Sequence, residues 1–179
     1  LPVVVSDAGP LIHIAQISKL SLLKKLFGIV FVTERVKVEV FDEGIRFGCA
    51  DAEAIGKALT GGWLRIEPVP ERLAGSAAKL AEGENISIAD AETLLLAVEK
   101  KAELLVDEKL LSNLSKMYGL RVWSTWTLLL EGLSRNYVGL DDIERAVDEL
   151  GKKRFRLSVK QAQEILDAAR FIEKHKNKQ

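Results

Sequence analysis

Five short runs rich in β-branched and other apolar residues recur along this chain, each followed by a segment with helical spacing. That alternation restricts the fold more than any other feature. The runs are residues 3–5, 29–32, 63–67, 104–106 and 121–123. Helical spacing is predicted over 11–27, broken near Ser18–Ser21 and ended by Gly28. It is predicted again over 34–42, capped by Thr33 and closed by Gly44, and over 50–59, 71–81, 87–101 and 108–118. Short apolar strands alternating with helices of 10–15 residues imply an α/β layer architecture around a mainly parallel sheet. Three further helices are predicted at 125–134, 141–150 and 158–174, the last capped by Ser158. One domain with a terminal appendage is the expectation for 179 residues.

In an open parallel sheet, ligands bind beyond the carboxyl ends of the strands. Asp7 occupies such a position. Val3–Val5 reads as a buried strand, and Gly9-Pro10 opens a helix with Pro10 at its first position. Asp is also a common helix cap, so one Asp there decides nothing. Asp107 ends another strand and reads equally as an N-cap, with Glu108 as a first-turn dipole partner. Ser87-Ile88-Ala89-Asp90 fits a capping box, which is a complete structural account of Asp90. Glu92 lies two residues on, about 200° round the helix. Glu39 sits at the edge of the apolar stripe Val36, Val38, Val40 and Phe41. Its carboxylate belongs either to the boundary or to a pocket.

Taken together, Asp7, Asp90 and Asp107 are placed at strand ends or helix starts by independent local signals. Carboxylates brought within a few ångströms repel by roughly 4 kcal/mol per pair at an intermediate dielectric. A hard divalent cation with oxygen ligands relieves that repulsion and suits phosphodiester hydrolysis.

Other chemistries find no support. There is no phosphate-binding P-loop, dinucleotide fingerprint or nucleophile elbow, and Asp7-Ala8-Gly9 lacks the second Asp of a D-x-D phosphatase loop. Cys49 is alone, which excludes a disulfide framework and a thiolate zinc site; a small buried residue is expected. His13 falls in an apolar helix and is expected to be structural, and His175 is far from it. Net charge is zero, which argues against a wholly basic nucleic-acid binder. It is unevenly spread, however: residues 150–179 hold nine Lys/Arg against three Asp/Glu. That tail reads as a solvated terminus, fraying over 174–178, or as a phosphate-attracting surface. Trp63, Trp123 and Trp126 are core candidates that could also stack bases. No signal peptide, lipidation signal or 18-residue apolar run is visible. A cytoplasmic location without membrane association is therefore expected. The chain opens on Leu1, read as a processed or trimmed start.

The ordered motifs VVSDAGPLIHIA, VTERVKVEV, SIADAETLLLAVEKKAELLVDEKLL and LRVWSTWTLLLEG span residues 3–135. They resemble those of the PIN domain, the metal-dependent ribonuclease fold of VapC-type toxins. The stretch FRLSVKQAQEIL resembles the extra helices of one archaeal and bacterial PIN branch. The resemblance implies a three-layer α/β/α sandwich over residues 1–138 and a helical extension over 139–179 packed on the same domain. It implies that Asp7, Glu39, Asp90 and Asp107 form the catalytic site. Asp7, Asp90 and Asp107 would hold Mg²⁺ or Mn²⁺, and Glu39 would orient or activate water. Glu92 would be a fifth acid, and Ser124 or Thr125 a hydrogen-bond donor at the rim, although a helix cap explains them equally.

Many members carry Ser or Thr where this chain has Ala8-Gly9, and Pro where it has Thr33. The activity implied is endoribonuclease cleavage by water, leaving a 5′-phosphate and a 3′-hydroxyl. The partners implied are RNA and, in a toxin–antitoxin pair, a protein antitoxin; a homodimer is also expected. The alternatives are a non-catalytic RNA- or protein-binding module and a DNA-processing nuclease of the same fold.

Overall fold

The computed structural model describes residues 1–153, 155 and 157–176. Arg154, Arg156 and Lys178 of the basic tail lie outside the described residues. Five strands form one sheet: β1 (Val4–Ser6), β2 (Val30–Val32), β3 (Leu64–Ile66), β4 (Glu103–Leu105) and β5 (Val122–Trp123). Their order is β3-β2-β1-β4-β5, and every neighbouring pair is parallel. The chain builds outward from β1 on one side, then returns to lay β4 against its other edge. In register, Val5 pairs with Phe31 on one side and with Leu104 on the other. The switch in direction falls between β1 and β4, where the crevice of an open parallel sheet forms.

Side chains alternate across the sheet, as a period of two requires. Val4 and Leu105 join a core with Leu11, Leu23 and Leu128 on one face. Val5, Leu104 and Val106 join Leu94 and Leu111 on the other. The first face is covered by α1 (Ala8–Gln16), α2 (Ser21–Phe27), α5 (Ala50–Thr60) and α9 (Thr125–Ser134). The second is covered by α7 (Ile88–Glu99) and α8 (Lys109–Met117), with α6 (Ala74–Glu84) against α7. The fold is therefore a three-layer α/β/α sandwich. The last helices, α10 (Leu140–Lys152) and α11 (Val159–His175), place Ile143, Leu150 and Ala169 in the first core. No described helix is long and apolar enough to cross a membrane.

The structure departs from the sequence reading in several places. The helix expected to stop at Gly44 continues. From α3 (Glu34–Lys37) it passes through a π-helical segment (Val38–Glu43) into α4 (Gly44–Arg46). Thr33 caps its start by accepting the Val36 amide at 3.2 Å. Gly44 does not end the helix, because its φ of −58° is ordinary helical backbone. Its missing side chain serves contact instead: a Cβ there would lie 2.6 Å from Ala52 Cβ on α5. Gly44→Ala is therefore expected to destabilise by about 1–3 kcal/mol. Without the contact, the same change in a helix would stabilise by roughly 0.5–1 kcal/mol. The sign of the shift in a urea midpoint separates the two cases.

Pro10 is the third helical residue, not the first, within the turn whose amides have no helical partner. Cys49 is exposed rather than buried, because it occupies the turn before α5. The N-cap of α8 is Glu108, which accepts the Leu111 amide, so Asp107 is free of that duty. All three tryptophans pack against the first core. In the tail, Lys160, Arg170 and Lys176 pair with Glu164, Glu144 and Glu173, respectively. One of these acids, Glu144, comes from α10 rather than from the tail helix itself.

Candidate active site

Asp7 follows β1 directly, and its amide extends the ladder by donating to the Leu105 carbonyl at 2.9 Å. It stands at the N-cap position of α1, yet its side chain makes no capping hydrogen bond. Its carboxyl pKa is pushed up to about 7. Burial is the main cause; the charges of Asp90 and Glu39 add to it, and the Ala8 and Gly9 amides offset it in part. An acid kept off its capping bond, buried and faced by two other acids, is the least satisfied group at this edge.

Asp90 does two things at once. Its Oδ2 accepts the Ser87 amide at 3.2 Å, and its own amide donates to Ser87 Oγ at 3.0 Å, so the capping box is complete. The first-turn position nevertheless leaves it near enough to raise both Asp7 and Glu39. Glu39 comes from the π-helical segment, where the extra residue per turn re-aims side chains. It remains solvent-accessible, but desolvation is the first cause of its raised pKa, followed by the charges of Asp90 and Glu43.

Asp107 lies two residues beyond β4, and a Cβ on Gly9 would be 3.5 Å from it. It therefore flanks the first turn of α1. Its carboxylate is held by α9 and α1. The Thr125 amide donates to Oδ1 at 2.7 Å, the Thr125 hydroxyl donates to Oδ2 at 2.6 Å, and His13 Nδ1 lies 2.7 Å from Oδ2. A carboxylate only accepts, so Nδ1 carries the hydrogen. Ser124 is the N-cap of α9, bonded to Thr127.

The structure thus brings Asp7, Glu39 and Asp90 into electrostatic contact, with Asp107 at the adjoining strand end. Glu92 is engaged elsewhere, accepting from Arg35 Nε at 3.0 Å. A cleft of about 780 Å³ opens beside Glu39, lined also by Arg35, Val38, Pro68, Ile88 and Glu92. A second cleft of about 480 Å³, lined by Gln16, Lys57, Trp63 and others, contains none of the four acids. Sequence reasoning missed His13 and Arg35. Both are visible only once β4 is known to lie beside β1 and α3 beside α7.

The donor set is all oxygen, which suits Mg²⁺ or Mn²⁺. Among the described residues, no three His, Cys, Asp or Glu side chains already close on one ion. Mg²⁺ does not require that: it is usually held through one or two carboxylates, with waters and substrate phosphate completing the shell. The repulsion raising Asp7 is what such a cation relieves, so the residues fit the group.

A sequence model of the family described as PIN domain matches residues 3–170. No curated protein and no solved structure gives a match.

Proposed function

This chain belongs to the PIN-domain family, and on that premise we propose that it is an endoribonuclease dependent on Mg²⁺ or Mn²⁺. PIN domains are generally nucleases that use divalent metal ions. The observation that carries the reading is Asp7. It is a buried carboxyl raised to about 7 with Asp90 and Glu39 facing it, at the switch point of a parallel sheet.

In this reading Asp7, Asp90 and Asp107 would hold the ion. When bound, it supplies an activated water and neutralises charge on the phosphate. Glu39 orients the attacking water and takes its proton; a carboxyl raised above its ordinary value is better matched to that task near neutrality. The water oxygen bonds to phosphorus as the bond to the 3′ oxygen breaks; the 5′-phosphate remains, and the departing 3′ oxygen takes a proton from solvent water to become a hydroxyl. Ser87 and Thr125 fix Asp90 and Asp107 through hydrogen bonds formed before substrate arrives.

The test is cleavage of a mixed single-stranded RNA pool in Mn²⁺ and in EDTA, with single-stranded DNA of matched length alongside. Cleavage of RNA in Mn²⁺ only, lost in Asp90→Asn, is the expected result. The amide side chain of that variant retains an oxygen for the Ser87 amide, so the helix start survives the change. Equal cleavage by parent and variant would overturn the assignment, and preference for DNA would move the substrate. A toxin role resting on the same activity requires growth arrest on expression, relieved by Asp90→Asn.

A further inference from the structure

We propose that His13 and Phe155 are positioning residues for Asp107, so that the Phe155 side chain, from between α10 and α11, supports the active site. The proposal rests on the reading of Asp107 as a member of that site. A carboxylate offers about four lone-pair directions. Three are taken here: one on Oδ1 by the Thr125 amide, and two on Oδ2 by the Thr125 hydroxyl and His13 Nδ1. Thr125 straddles both oxygens and fixes the plane of the group. His13 closes Oδ2. Among the described residues, that leaves Asp107 a single open direction, on Oδ1, for a cation or a water.

The imidazole is held in turn. Phe155 packs edge-on against the His13 ring, with centroids 4.3 Å apart and planes at 90°. The same Phe155 packs edge-on against Trp126 at 5.4 Å, the residue after Thr125. One aromatic side chain therefore braces both supports of Asp107, His13 on α1 and the first turn of α9. An imidazole bonded on one side and packed on the other has one orientation available. Partners at this distance from a metal site orient its ligands, and losing one typically costs about 10- to 100-fold in metal affinity or activity.

The experiment uses the full chain and three readouts: Mn²⁺ binding by calorimetry, RNA cleavage, and the His13 Nδ1 proton by NMR in the metal-free protein. His13→Leu fills the space but removes the donor. Mn²⁺ binding about 10-fold weaker, or cleavage about 10- to 100-fold slower, is expected. His13→Asn keeps an N–H near the place of Nδ1 and is expected to recover most of the loss. Phe155→Ala is expected to speed exchange of the Nδ1 proton and weaken Mn²⁺ binding. Because part of its action runs through His13, its effect on the His13→Leu background is smaller than on the wild type. Phe155→Leu, which fills part of the space but loses the edge-on ring contacts to His13 and Trp126, serves if the Ala variant fails to fold.

Wild-type Mn²⁺ affinity in His13→Leu would overturn the proposal. So would an unchanged Nδ1 proton in the Phe155 variants, or a Phe155 effect fully additive with His13→Leu. A wild-type chain that binds no Mn²⁺ overturns both this proposal and the metal-site reading. A chain that binds Mn²⁺ but cuts no RNA overturns the nuclease reading alone.

Discussion

Asp7→Asn is expected to lower Mn²⁺-dependent RNA cleavage by about 10³-fold, the equivalent of several kcal/mol of transition-state stabilisation lost with the ion. The argument turns on where Asp7 sits. It is deeply buried, and the charges of Asp90 and Glu39 add to the cost of ionising it. Asn keeps the size and an acceptor oxygen but removes the charge that binds a cation. The Asn oxygen can still accept from the Ala8 and Gly9 amides, and there is no capping hydrogen bond to lose. Single-turnover cleavage at saturating Mn²⁺, with a thermal melt as folding control, measures the effect. A folded Asp7→Asn protein cutting within tenfold of the parent would remove Asp7 from the site. The expected contrast is Glu92→Gln. Glu92 is held by Arg35, so its loss should change cleavage far less.

The layers are legible because strand and helix periods differ so plainly. Val3–Val5 reads as a buried strand, and in the sheet Val4 and Val5 face opposite cores. The misread places share a cause: a local signal with two physical meanings. Gly44 reads as a helix stop, but its lack of a Cβ serves contact with Ala52, a neighbour absent from its own stretch of sequence. Asp107 and Glu108 both suit an N-cap, and the start of α8 one residue later gives the role to Glu108.

The acids follow the same logic. Asp7, Asp90 and Asp107 each read locally as a cap, and Asp90 takes part in one. What the sequence does not carry is the insertion of β4 beside β1, which sets Asp107 against the first turn of α1 and hands it to His13. The tail behaves likewise. Its charge is countable, but its pairing with Glu144 on another helix is not.

The metal-free protein is expected to lose stability as pH rises from about 4 to about 7, a trend Asp7→Asn should flatten. An unfolded Asp titrates near 3.8, whereas folded Asp7 titrates at about 7. Between those values the folded chain retains a proton that the unfolded chain has released. Stability then falls with pH, since its slope follows the protons bound by the unfolded state minus those bound by the folded state. A difference of about three pKa units corresponds to about 4 kcal/mol at most, fully felt above pH 7. Glu39, also raised, pushes the same way. Glu99, held below its ordinary value by Arg72, pushes the opposite way at low pH. For that reason the comparison of parent with variant matters more than the slope of either alone. Urea midpoints in EDTA at pH 4.5, 6 and 7.5 give the measurement. Asp7→Asn should lie within about 1 kcal/mol of the parent at the lowest pH and exceed it by about 4 kcal/mol at the highest. Mn²⁺ should reverse the parent's trend, because the ion binds the ionised carboxyls and stabilises the folded state in proportion to its occupancy. Parallel lines for parent and variant across that range would mean that Asp7 is no more buried or crowded than an ordinary helix cap.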